Sequence, residues 1–284
     1  KPHVQAAMGW YEQFPYVGPL HPSLRHPIVI PLGMSFRLFG INEFSVILPN
    51  LLYYAGLLAV TYVGLARFTN RHIAFIATAL ITTTPIFVIR ATVVFSDITE
   101  TFFVALAFWL IVGAVSELAF RAKVGQLPLA TSMRRLAGLP RSAIGTTVAH
   151  AGLGISVLGL VAATTWASED ILSMKAGDSL DVAGRSMTLD GFVDRDGPNY
   201  AETVVRFTVR DGGNPVAVME PSKRAYAARQ TQTTEAAIET FGFSQLYVSL
   251  GDINDDGGVT VRVYWKPLVT LIWLGAVGMS LGGL

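Results

Sequence analysis

IGTTVAHAGLGISVLGLVAATTW, Ile144 to Trp166, is followed after Ala167 by SEDILSMKAGDSLDVAGRSMTLDGF, Ser168 to Phe192. The first stretch is apolar and rich in small residues, and a bilayer span needs about 20 such positions. The second is polar, alternates with period two and is broken by Gly and Asp, which is strand and turn chemistry. The chain changes solvent at this junction, so the fold combines membrane helices with a β domain.

Four more apolar stretches extend the membrane part. They are Phe44 to Ala66, His72 to Ile89 with Pro85 near its end, Thr99 to Val115, and Leu268 to Leu284. Ile28 to Phe39 is apolar but holds Arg37, and reads as the end of a further span or as an interfacial helix. Composition agrees. Of the 284 residues 51% are hydrophobic and 14% charged, with formal net charge +1. The mean hydropathy is +0.47. A soluble domain carries about a quarter charged residues. A near-zero charge argues against nucleic-acid binding. The chain has no cysteine, which excludes disulfides, thiolate metal sites and thiol catalysis. The opening Lys1-Pro2-His3-Val4 and the apolar end at Leu284 read as a fragment open at both ends.

Lys and Arg near span ends set orientation. Arg67 and Arg71 lie between the first two long stretches, and Arg121, Lys123, Arg134, Arg135 and Arg141 between the third and fourth. Both loops fall on one side if every candidate spans, so both are expected in the cytoplasm. The second loop is expected to hold a short amphipathic helix at the membrane surface. Residues 167–266 then face the periplasm. They alternate through ETVVRFTVRDGGNPVAVME, SQLYVSL and VTVRVYW, and Arg210 to Asn214 reads as a hairpin turn. Thr234 to Thr240, TEAAIET, is expected to be a short helical insert. The stretch 168–266 holds 15 acids and 10 bases, so it is no polybasic surface.

Few residues could carry chemistry. His150 lies seven residues into the fourth apolar stretch, among Gly145, Ala149, Gly152, Gly154 and Gly159. An ionisable group there is a functional candidate by default, and a neutral imidazole suits haem iron. The alternative is a helix–helix contact between small residues, with His150 hydrogen-bonded to a neighbouring helix. Asp97 and Glu100, at the outer entry to the third stretch, could bind a metal or a sugar hydroxyl. They could equally be a helix start, with Ser96 or Asp97 as N-cap. His21 and His26 each precede Pro and mark extended turns or a weak metal site. Lys223 and Arg224, with Arg229, could pair haem propionates or a partner's acids, or form a solvated strand edge. The GxSxG string Gly278 to Gly282 lies in an apolar run with no histidine after His150, so small-residue packing explains it better than a nucleophile elbow.

Two resemblances follow. Thr147-Val148-Ala149-His150-Ala151-Gly152-Leu153-Gly154 is one of several matching stretches in order. Others are Lys175 to Ser179, Gly197-Pro198-Asn199-Tyr200, Leu246 to Gly251 and Ile272-Trp273-Leu274-Gly275. Through them, residues from about 105 to 284 resemble the C-terminal part of the CcmF/NrfE cytochrome c biogenesis (haem lyase) family. That resemblance implies that His150 is a ligand of a b-type haem. It implies attachment of haem to apocytochrome thiols, with other cytochrome c maturation membrane proteins, a haem chaperone and apocytochrome c as partners. The family's Trp-rich haem-handling motif and its other histidines have no counterpart here, so enzymatic activity is left open and haem retention is expected to be weak or absent. Residues 9–104, through Gly18 to Leu32, Phe36 to Phe44, Leu48-Pro49 and Val93 to Asp97, resemble GT-C membrane glycosyltransferases of the protein-mannosyl and aminoarabinosyl type. That implies a polyprenyl-phosphate sugar donor. The seam falls between about Phe102 and Glu117.

The expected fold is an integral membrane α-helical bundle of about five transmembrane helices with an inserted periplasmic all-β domain, in the bacterial inner membrane and in contact with membrane lipid. The expected domains are 1–104 (GT-C-like), 105–166 (CcmF-like helices with the basic loop), 167–266 (β) and 267–284 (final helix). The expected function is cytochrome c biogenesis, with a glycosyltransferase or a non-catalytic membrane scaffold as alternatives.

Overall fold

The computed structural model describes residues 26–84, 87, 91, 96–226, 231–253 and 257–283. The chain divides into two compact units, 1–161 with 271–284, and 162–270.

The first unit is helical. It holds α1 (His26–Phe39), α2 (Glu43–Phe68), α3 (Arg71–Thr83), α4 (Ser96–Ala122), α5 (Leu129–Ala137), and most of α6 (Arg141–Thr165) and α7 (Thr270–Gly282). Three of these, α2, α4 and α6, are long and apolar enough to cross a membrane; α1, α3 and α7 are shorter apolar helices. Large apolar side chains stand exposed along them, among them Leu52, Leu80, Phe108, Val112, Leu160 and Trp273. Such an exterior is costly in water and ordinary in lipid.

Local chemistry sets the helix ends. At the start of α2 the Asn42 side chain accepts from Ser45 N–H, and Ser45 Oγ accepts from Asn42 N–H, a reciprocal capping box. Asn70 caps α3 by accepting from Ile73 N–H. That helix stops at Thr83, short of the apolar run read from the sequence, and Thr84 turns extended at φ −73° and ψ 116°. Pro85 follows, and a residue before proline is driven from helical geometry by the ring. The basic loop does contain a short helix, α5, whose exposed Leu129 and Met133 share one face while Arg134 and Arg135 lie away from it.

Contacts along α2 and α4 ascend together. Gly56 meets Phe102, Gly64 meets Trp109, and Arg67 pairs with Glu117. The two helices therefore run parallel. Helices α6 and α7 run antiparallel, with Gly145 beside Gly282, Gly152 beside Gly275 and Gly159 beside Ile272. The GxSxG residues belong to this contact: Gly278 and Gly282 face α6, and Ser280 Oγ donates to Ala276 O within its own helix at 3.0 Å.

The second unit is a two-sheet β sandwich. The strands are β1 (Ser168–Met174), β2 (Ser179–Val182), β3 (Arg185–Asp196), β4 (Ala201–Asp211), β5 (Asn214–Met219), β6 (Ser222–Tyr226), β7 (Thr231–Glu235), β8 (Ala237–Phe241), β9 (Ser244–Ile253) and β10 (Val259–Lys266). One sheet has the order β1-β10-β9-β8, the other β2-β3-β4-β6-β7 with β5 also on β4. All pairs are antiparallel. Alternation delivers the core: Val205, Phe207 and Val209 from one sheet meet Leu246, Val248, Leu250, Val261 and Val263 from the other. Each such side chain contributes about 1.5–3 kcal/mol by leaving water. The β4–β5 hairpin turns through Gly212 and Gly213 at φ +55° and +87°, as Arg210 to Asn214 foretold.

One expectation is corrected. Thr234 to Thr240 is not a helical insert. Thr231–Glu235 pairs with β6 and Ala237–Phe241 with β9, so the chain passes from one sheet to the other at Ala236. Ala and Glu favour a helix by only tenths of a kcal/mol, and two ladders outweigh that.

Candidate functional site

His150 sits in the third turn of α6. Its Nδ1 lies 2.7 Å from Thr146 O, one turn back. A carbonyl only accepts, so in the neutral imidazole Nδ1 carries the proton and Nε2 the lone pair. This contact fixes tautomer and ring orientation in the way a backbone carbonyl does for a ligating histidine. The side chain is exposed and borders a cleft of about 320 Å³ in the helical unit. Val63 and Arg67 of α2, Trp109, Leu110, Gly113, Ala114 and Glu117 of α4, and Thr146 and Thr147 of α6 complete its wall. One imidazole, one carboxylate and one guanidinium therefore meet a largely apolar surface. The hydrogen bond that His150 makes is within its own helix.

The sequence marks Arg67 and Arg121 only as bases that set orientation, and it gives Glu117 no role. Glu117 accepts from Arg67 and, at 2.9 Å, from Arg121 Nε. The i,i+4 pair Glu117 and Arg121 is visible as spacing; Arg67 joins it through the parallel packing of α2 on α4.

Lys223 and Arg224 lie in β6, beside a groove of about 580 Å³ that Asp194, Arg195, Glu202, Gln232 and Asp252 also line. Both bases have acidic neighbours inside the domain. Arg224 Nε donates to Glu202 Oε2 at 2.8 Å and its Nη1 lies 3.7 Å from Glu235, while Lys223 Nζ is 3.4 Å from Asp252. Ser222 Oγ donates to the same Glu202 oxygen at 3.0 Å. Arg224 stacks 4.6 Å from the Tyr200 ring centroid. The Arg224 hydrogen bond, helped by Ser222, holds the Glu202 carboxyl below the usual carboxylate range, against the opposing effect of its burial. Arg229 lies outside the described residues.

Asp97 stands exposed in the first turn of α4, inside the helix rather than before it, where its charge complements the helix dipole. Thr101 Oγ1 donates to the Asp97 carbonyl at 2.6 Å. Glu100 is partly buried one turn on. His21 and the side chain of His26 lie outside the described residues. Among the described residues no three His, Cys, Asp or Glu side chains gather as metal ligands.

Residues 165–267 match the family model of the CcmF C-terminal beta-sandwich, and residues 25–139 that of dolichyl-phosphate-mannose-protein mannosyltransferase. His150 falls between the two matches. The chain is 51% identical over 180 residues to the cytochrome c-type biogenesis protein CycK of Bradyrhizobium diazoefficiens, covering 63% of this chain and 27% of that protein. It is 48% identical over 182 residues to CycK of Rhizobium meliloti, covering 64% and 27%. To the cytochrome c-type biogenesis protein CcmF of Escherichia coli it is 32% identical over 180 residues, covering 63% and 26%. The chain thus spans about a quarter of the length of these relatives. A solved structure of a cytochrome c heme lyase CcmF aligns with 89% of this chain and 49% of its own, at TM-score 0.47 and 14% identity. One part of the chain therefore resembles the CcmF and CycK proteins and another resembles a mannosyltransferase.

Proposed function

We propose that this chain takes part in cytochrome c maturation, in the delivery and attachment of haem to apocytochrome c, together with other membrane proteins of that pathway and not alone. The observation that carries the reading is the β sandwich. The residues that match the CcmF C-terminal beta-sandwich fold as two antiparallel sheets about one core, with apolar helices at both ends of the stretch. In this reading the chain is a multi-pass protein of the bacterial inner membrane with about five spans, and its β domain faces the periplasm. A haem chaperone and apocytochrome c are its partners. The apocytochrome supplies the thiols, so the absence of cysteine here is no obstacle.

His150 would hold a b-type haem's iron through Nε2, because Thr146 O orients its ring and leaves that nitrogen free in the neutral imidazole. When bound, such a haem supplies redox chemistry. This chain's own part would be to hold that nitrogen in place.

The test is a chimera. Residues 105–284 of this chain replace the matching quarter of Bradyrhizobium CycK, and c-type cytochromes are read by haem staining in cells lacking CycK. Restored cytochrome c is expected. None, with the chimera present in the membrane, would refute the reading.

A second reading, a glycosyltransferase using a polyprenyl-phosphate sugar, is favoured by the match over residues 25–139 and by Asp97 at the entry to α4. Sugar transfer by the purified chain that is lost in Asp97→Asn would replace the first reading with this one.

A further inference from the structure

Arg67 ends α2, and Glu117 and Arg121 lie in the last turns of α4. One carboxylate faces two guanidiniums, so the cluster keeps a positive charge in excess. The arginine side chains are 44% and 50% exposed, so both still face outward. Arg67 and Glu117 line a cleft of about 320 Å³ with Val63, Trp109 and Leu110 as apolar walls, and Arg121 adjoins it through its bond to Glu117. Its lining includes Gly113, where an added Cβ would meet nothing within 4 Å. Helix α5 is tied to the same end of α4 by Ser132 Oγ, which donates to Lys123 O at 3.2 Å. Its exposed Leu129 and Met133 give that end an apolar face suited to the headgroup boundary.

A guanidinium rim above an apolar slot, in a bundle whose exterior suits lipid, matches the two halves of a charged lipid. We propose that this cleft seats one anionic phospholipid, with its phosphate at Arg67 and Arg121 and an acyl chain along Val63, Trp109 and Leu110. A zwitterionic headgroup carries no net charge and gains less from the rim. The site rests on α2, α4 and α6 lying in a membrane; it does not depend on haem.

The test is native mass spectrometry of the full chain in detergent with phosphatidylglycerol, phosphatidylcholine or undecaprenyl phosphate at equal concentration. Phosphatidylglycerol should be retained over phosphatidylcholine by about tenfold, and the double variant Arg67→Gln with Arg121→Gln should weaken it by about tenfold. Gly113→Phe fills the cleft and leaves the rim charges in place, so it too should lose the lipid, and it decides the matter if the double variant fails to fold. Arg134→Gln with Arg135→Gln should keep it. Equal retention of phosphatidylglycerol and phosphatidylcholine, binding that survives Gly113→Phe, loss on changing Arg134 and Arg135, or preference for undecaprenyl phosphate would each overturn the site. Failure of the chain to partition into detergent or membranes would instead count against the span assignment.

Discussion

Gly152 and Gly275 touch backbone to backbone. A Cβ built on Gly152 would lie 2.7 Å from the Gly275 carbonyl oxygen, and one built on Gly275 would collide with Ser156 Oγ and the Gly152 carbonyl. Ser156 Oγ also donates to Ile272 O at 3.1 Å across the same contact. Close approach of small residues with a bridging hydroxyl is how helices associate in lipid, where the hydrophobic effect does not drive them together. Gly275→Leu should therefore destabilise the α6–α7 contact by about 1–3 kcal/mol. Gly113→Ala, with open space at its Cβ, should be neutral or slightly stabilising. Thermal unfolding in detergent measures both, and equal midpoints for the two variants would contradict the contact.

The Glu202–Arg224 pair sets a pH dependence. Its carboxyl is held below an unfolded value of about 4.3 by the Arg224 hydrogen bond first. A depressed carboxylate pKa contributes stability above the unfolded value, and that stability is lost as pH falls through the folded value. Glu202→Gln should thus unfold at lower temperature than the parent at neutral pH. The gap should close as pH falls below the unfolded value and through the lower folded one. A gap that stays constant over that window would show that the ion pair is not its source.

Much of the fold is legible along the chain, because strand alternation and helix spacing are local. Leu246, Val248 and Leu250 face inward as their period requires, and Gly212-Gly213 turns where composition says it must. TEAAIET misleads because its helix formers hide two hairpins: Thr231–Glu235 folds back on Ser222–Tyr226, and Ala237–Phe241 turns at Gly242-Phe243 onto Ser244–Ile253. The site is less legible. His150 stands out as an ionisable residue in an apolar run, and its partner Thr146 is one turn away. Glu202 and Glu117 do not stand out. Their roles depend on β4 lying beside β6 and on α2 running parallel to α4, which no local pattern encodes.

Orientation can be read from two engineered thiols, since the chain has none of its own. Ser132 is buried and bonded to Lys123 O, so the exposed neighbour Thr131 is the better position in α5. With the basic loops in the cytoplasm, Thr131→Cys should label only after the membrane is opened. Ser179→Cys, exposed in β2, should label from the periplasm in intact cells. Both labelling from outside would sink the topology, because one span, α6, separates the two positions.

His150 separates a haem ligand from a packing residue. If Nε2 is a ligand, any haem retained by the purified chain gives a Soret band that His150→Ala abolishes. His72→Ala, at the first turn of α3, leaves that band unchanged. Retention should be substoichiometric, because no second imidazole lines the cleft among the described residues. A stoichiometric Soret band would mean that another group completes the coordination, and a band that survives His150→Ala would remove His150 from the haem altogether.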